Sequence, residues 1–225
     1  METALEGPSR FRDLFAPKYR KSLIWAIVLL IIAFIVEHFA NAYSFAYSVR
    51  PTSAFVGDLL LDNLPLVNLN FIIIEGAIIS IIASVIYVLF NPRYILFSLK
   101  TVALFIVVRA IFVSLTHVGI YPNHIDPGFG LFDQLYMYFN FQLGFFFSGH
   151  TGLPFLMALI FWDKYYTRVA FISLAVIFGI AVLLAHVHYS IDVFAAPFMA
   201  YGVYRMAQSF FRSDYKFTEK QIAHV

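Results

Sequence analysis

The sequence predicts an all-α fold, a polytopic membrane bundle of six transmembrane helices with both termini cytoplasmic. Three observations lead there. Of the 225 residues, 61% are hydrophobic and only 12% charged, and the mean hydropathy is +0.81, far more apolar than a water-soluble domain. Six apolar stretches are each about the 20 residues that a hydrocarbon core of about 30 Å requires. Lys and Arg fall in short clusters that an even number of spans places on one side, where cytoplasmic loops are enriched in them.

The first span runs from Ser22 to Phe39. Ala40-Asn41-Ala42 follows it and superficially resembles a signal-peptidase site, but the apolar run is long enough to cross a bilayer and longer than a usual signal-peptide core. The second span runs from Asn70 to Phe90 and ends at Asn91-Pro92-Arg93, which is turn chemistry. The third extends from Tyr94 to Val118, before a tract from Tyr121 to Phe129 with two prolines and a glycine. The fourth covers Leu143 to Trp162 and stops at Asp163-Lys164. The fifth runs from Val169 to Val187 and the sixth from His188 to Phe210, with only polarity marking the turn between them.

With both ends on one side, twelve of the fifteen Lys and Arg residues lie on that side; Arg50 alone is in an opposite loop, and Lys100 and Arg109 fall within span three. Lys100 is expected to snorkel to the near interface. The organisation that follows is a cytoplasmic segment over residues 1–21, one membrane domain over 22–211 and a cytoplasmic tail over 212–225, with flexible ends before Lys18 and after about Asp214. A net charge of +2 offers little to nucleic acid, and the absence of cysteine excludes disulfides, thiolate catalysis and Cys-ligated metals.

Depth places the polar residues. Ser148, Gly149 and His150 lie one to two turns inside the outer end of span four, and His188 and Asp192 occupy the first two turns of span six. Two segments distant in sequence thus deliver histidines to one level. His188 and Asp192 are spaced i, i+4, on one face of a helix. A carboxylate there fixes the imidazole tautomer and favours the charge that develops when the other ring nitrogen attacks an electrophile. His150 supplies a second imidazole able to protonate a departing oxygen. In water such a pair is often just a helix-end contact, but ionisable groups inside spans are costly and usually functional.

Arg109, in the outward half of span three, either joins these groups through its planar donor fork for phosphate oxygens or pairs with Glu75 of span two. Glu75 is open to three roles, that partner, a proton-relay group or a substrate contact, and of these it is taken forward as a candidate substrate contact beside Arg109, Ser148, Gly149 and Tyr189. His186 and His188 point apart at helical spacing, so no metal site is expected. The Phe145-Phe146-Phe147 run reads as packing or lipid-facing surface. Asp58, Asp62, Asp126 and Asp133 in the outer loops read as solvated, although either loop is placed to lie over the site.

Phe147-Ser148-Gly149-His150-Thr151 and His188-Tyr189-Ser190-Ile191-Asp192-Val193, with the segment from Arg109-Ala110 to Pro122, resemble the signature blocks of the sphingomyelin synthase-related family. That family is a branch of the type 2 phosphatidic acid phosphatase superfamily. The similarity spans about residues 70 to 205, although its diagnostic part is about twelve residues. Gly144 stands where many sphingomyelin synthases carry an acid, and the Arg-Pro element of many lipid phosphatases is missing.

The resemblance implies a six-span enzyme whose catalytic residues are His188 as nucleophile, Asp192 orienting it and His150 as proton donor. Beside these, Arg109, Ser148, Gly149, Tyr189 and Glu75 are the candidate contacts to substrate or phosphate that their position suggests. No metal or organic cofactor is implied. The expected partners are membrane lipids, a phospholipid donor with ceramide or diacylglycerol as acceptor. Passage of a phosphohistidine group to an alcohol makes the enzyme a transferase, and passage to water makes it a phosphatase acting on phosphatidic acid-type substrates. The competing expectations are a proton or ion relay through Glu75, Arg109 and the histidines, and a membrane scaffold that has lost its reaction.

Overall fold

The computed structural model describes residues 7–50, 53–125 and 146–219, and among these every regular element is helical. A 3-10 turn over Phe11–Phe15 leads into α1 (Pro17–Ser48). It is followed by α2 (Asn70–Ile73), α3 (Glu75–Leu89) and α4 (Pro92–Leu115). After the 126–145 segment come α5 (Gly149–Ile160), α6 (Tyr165–Leu184), α7 (Ser190–Phe210) and the short α8 (Arg212–Lys216).

Among the described residues, four stretches are long and apolar enough to cross a membrane: α1, α2 with α3 taken together, α4 and α6. Their exposed side chains carry the same message. Ile24, Trp25, Ile31 and Phe34 on α1, Ile79 and Ile82 on α3, and Val176 and Ile180 on α6 all face outward. A helix apolar on its outer side has no use for water there.

The element at the centre is α4: 56% of its most apolar window is buried, against 22% for α1 and 33% for α6. It packs against α1, α3, α5, α7 and α8. Small residues make the closest of these contacts. Ala26, Ala33 and Ala40 recur every seven residues along α1 and are buried, the spacing that lets two helix backbones approach closely without a hydrophobic drive from water. Ala196, Ala200, Val203 and Ala207 form the equivalent stripe on α7.

Several sequence expectations change here. Span two is broken at Ile74 into α2 and α3, with no proline to cause it. The described part of span four is a helix of 12 residues, about 18 Å long, well short of a bilayer. Phe146 and Phe147 adopt positive φ angles of 94° and 36°, which an α-helix does not accommodate, so helical structure begins only at Gly149. Span six starts at Ser190, leaving His188 in the connection before it.

The ends described are also less loose than their composition suggests. Lys100 does not snorkel; its Nζ is buried and paired with Asp214 Oδ2 at 2.5 Å, with Ser22 Oγ donating to Asp214 Oδ1 at 2.8 Å. Tyr19 packs edge-on to Phe217, and Leu14 is buried. The segments on either side of the membrane domain therefore dock on α1 and α4 and on each other. Lys220 lies outside the described residues.

Candidate functional site

One end of the bundle gathers the start of α5, the start of α7, the last two turns of α4 and the end of α6. The backbone assembles this end before any side chain contributes. Ser148 N–H donates to the Asp192 carbonyl at 2.8 Å, tying the entry of α5 to the first turn of α7. Ser148 is the N-cap of α5, its hydroxyl accepting from Thr151 N–H at 3.4 Å. Gly152 allows the approach: a Cβ there would stand 2.9 Å from the Phe105 ring of α4.

Asp192 is the organising group, and it is almost fully buried. Its Oδ2 accepts from His188 Nδ1–H at 3.2 Å and from Tyr189 N–H at 3.2 Å. Its Oδ1 accepts from Phe146 N–H at 3.0 Å. The His188–Asp192 contact is thus not the one-face helical pair of the sequence reading. Asp192 is the third residue of α7 and reaches back over the helix start, satisfying backbone donors a helix terminus leaves open. With Nδ1 donating, Nε2 of His188 carries the lone pair.

His150, in the first turn of α5, lies across from His188, with ring centroids 6.0 Å apart and planes inclined at 67°. Phe178 of α6 walls its other side at 6.0 Å, and the Ile73 backbone at the α2–α3 break is also beside it. Arg109 stands next to the α5 entry: a Cβ on Gly149 would meet its Nε at 3.4 Å. The glycine therefore leaves the guanidinium room beside the backbone of the Ser-Gly-His segment.

The carboxylate that holds Arg109 is Glu37 of α1, not Glu75. Arg109 Nη1 donates to Glu37 Oε1 in a buried ion pair, and Asn41 Nδ2 donates to the same oxygen at 3.3 Å. Sequence reasoning passed over Glu37, although it is the lone acid in the first apolar run. Glu75 begins α3, partly buried, and makes no ion pair among the described residues.

The loops at this end of the bundle bear on the site as well. Asp58 is buried rather than solvated: Oδ2 accepts from Ser190 N–H at 2.6 Å, while Oδ1 accepts from Leu60 N–H at 2.9 Å and Leu61 N–H at 3.2 Å. One carboxylate thus caps α7 and a turn of its own loop. Burial works to raise its pKa, but the N–H donors and the Ser190 hydroxyl outweigh burial and hold the carboxyl below the usual aspartate value. Asp62 Oδ1 accepts from the Tyr121 hydroxyl at 2.7 Å, and that bond raises the phenol to about 12. The Tyr189 hydroxyl donates to the Gly119 carbonyl at 2.8 Å and accepts from Val56 N–H at 3.3 Å, so this side chain ties two loops together. Asp126, Asp133, Gly144 and Phe145 lie outside the described residues. Phe147 is fully buried, packed edge-on to Phe105.

Fold and site together define a protein that is helical throughout its described residues, with several membrane-suited helices and, at one end, half-buried His150 facing buried His188 and Asp192. No protein-family model matches the chain, and no curated protein matches it significantly.

Proposed function

We propose that this chain is a membrane enzyme that moves a phosphoryl or phospho-head group from a lipid through a histidine nucleophile, in the manner of the sphingomyelin synthase-related branch that its motifs resemble. The observation that carries the reading is the placement of two imidazoles 6.0 Å apart with a buried carboxylate behind one of them. In this reading the bilayer is crossed six times. The termini lie on the cytoplasmic side, and the site opens at the opposite face.

His188 Nε2 attacks phosphorus, forming an N–P bond as the bond to the departing lipid oxygen breaks. Asp192 holds the ring and stabilises the imidazolium that develops. His150 gives its proton to the leaving oxygen and then, as a base, takes one from the incoming alcohol or water. Arg109, paired with Glu37 and lying beside the Gly149 backbone, sets positive charge next to the phosphoryl oxygens. Membrane lipids are donor and acceptor, and no metal or organic cofactor takes part in any of these steps.

A second reading, a proton or ion relay, draws on one observation: Glu37 Oε2, Asn41 Oδ1 and Ser44 Oγ are buried on α1 without hydrogen-bond partners among the described residues. Incubation with a panel of labelled phospholipids, with and without ceramide or diacylglycerol, tests both readings. A new phospholipid product supports a transferase, and released phosphate supports a phosphatase. Proton flux in sealed vesicles with no lipid turnover supports the relay and sinks the enzyme.

A further inference from the structure

The connection between α1 and α2, residues 53–69, distributes its side chains in a way an aqueous loop does not. Phe55, Val56, Leu59 and Leu66 are exposed, Leu59 at 80%, the most exposed leucine among the described residues. Asp58 is turned inward to cap α7, and Asp62, although exposed, spends one oxygen on Tyr121. Leu59 sits on a helical turn closed by Asp62 N–H to Asp58 carbonyl at 2.8 Å and Leu64 N–H to Leu60 carbonyl at 2.8 Å, so its exposure is built into ordered backbone.

The loop is anchored beside the candidate site. Val67 N–H donates to the Leu184 carbonyl at the end of α6 at 2.8 Å, and Asp58 holds Ser190 two residues after His188. Its apolar exposure is continuous along the chain with Phe71 at the start of α2, 72% exposed, and has a counterpart in Leu115 at the end of α4, 73% exposed. Exposed apolar groups continuous with a lipid-facing surface belong in lipid, because removing such a surface from water is favourable in proportion to its area. The backbone objection to a loop at that depth is met by the bonds above, which pair several of its donors internally. Asn63 and Asn68, also exposed, suit the head-group edge.

We infer that residues 53–69 lie in the membrane leaflet at the site's end of the bundle, with Phe55, Val56, Leu59 and Leu66 among the acyl chains, so that a lipid reaches His150 and His188 sideways from that leaflet alongside this loop. The inference shares the membrane setting of the proposed function but not its chemistry, and it is read without turnover.

The chain has no cysteine, so a single introduced thiol reports one place. Leu59→Cys and Phe55→Cys, each carrying a nitroxide in phosphatidylcholine vesicles, are expected to collide with oxygen several-fold more than with a water-soluble nickel chelate. Phe71→Cys should give the same ratio, and Asn68→Cys a ratio shifted towards the chelate. Labels at both Leu59 and Phe55 that favour the chelate would overturn the inference by placing the loop in water. Labels shielded from both reagents would overturn it by showing protein, not lipid, on this surface. Retained lipid turnover alongside either result would leave the proposed reaction standing while removing this route.

Discussion

Asp192 holds together the local fold at the candidate site, and in the proposed reaction the same carboxylate orients the nucleophile. Asp192 satisfies three donors, His188 Nδ1–H, Tyr189 N–H and Phe146 N–H. Replacing it with asparagine keeps the shape but offers a donor where acceptors are needed and releases the wrong tautomer. Asp192→Asn is expected to lower kcat on a phospholipid substrate by on the order of 10³- to 10⁴-fold, with little change in KM. A rate near that of the native protein would reduce Asp192 to a helix cap. Arg109 and Glu37 make a second residue-scale test. Breaking a buried ion pair from one side leaves an uncompensated charge and costs about 3–5 kcal/mol, whereas replacing both partners by apolar groups is often nearly neutral. Thermal unfolding in detergent should therefore show Glu37→Leu and Arg109→Leu each strongly destabilised and the double variant closer to the native protein. Additive losses would mean the two side chains do not depend on each other. That His150 and His188 would meet was legible from the depth of two sequence-distant segments in their spans, and the His188–Asp192 contact from its four-residue spacing. Glu37 was not, because nothing local says which helix lies beside α4. The available signal was the Ala26, Ala33, Ala40 stripe: Glu37 is four residues after Ala33 and three before Ala40, on the face that packs.

At the scale of elements, the site depends on α5 lying close to α4 and on α7 being held at its start. Gly152 sets the first. A Cβ there would stand 2.9 Å from Phe105 Cζ and 3.6 Å from Ala196 Cβ, against a ring and a helix that are themselves packed. Gly152→Ala is expected to cost about 1–3 kcal/mol as overpacking, read as a lowered Tm, and to reduce activity further by moving His150. An unchanged Tm would show that α5 is not tightly seated. Asp58 sets the second. Its folded pKa lies below the ordinary value of 3.8, so its capping contribution is complete above that value and is lost as pH falls through the lower folded one. Native protein should lose stability on acidification below about pH 4 more steeply than Asp58→Asn, which has already lost the charge; parallel profiles would remove Asp58 from that role. Element positions were largely readable, since apolar length and turn chemistry mark α1, α4 and α6. The break at Ile74 and the late start of α5 were not. Both arise from how the chain meets its neighbours, and neither Ile74 nor Phe146 and Phe147 are residues that signal a turn.

For the whole molecule, the outward apolar surface and the inward polar set describe one arrangement. Ionisable groups sit at two levels, Lys100 with Asp214 near the termini and Glu37 with Arg109 beside the histidines, separated by the apolar middle of α4. Composition made the membrane class legible. The buried docking of the terminal segments and the inward turn of Asp58 were not, because contacts between sequence-distant loops leave no periodic trace. If the phosphoryl group passes through His188, its covalent intermediate can be trapped. Protein quenched during turnover of a phospholipid carrying ³²P in its head group should hold acid-labile, base-stable label on the peptide containing His188, and none in His188→Ala. Product formed by native protein without labelled histidine, or label surviving in His188→Ala, would contradict the account.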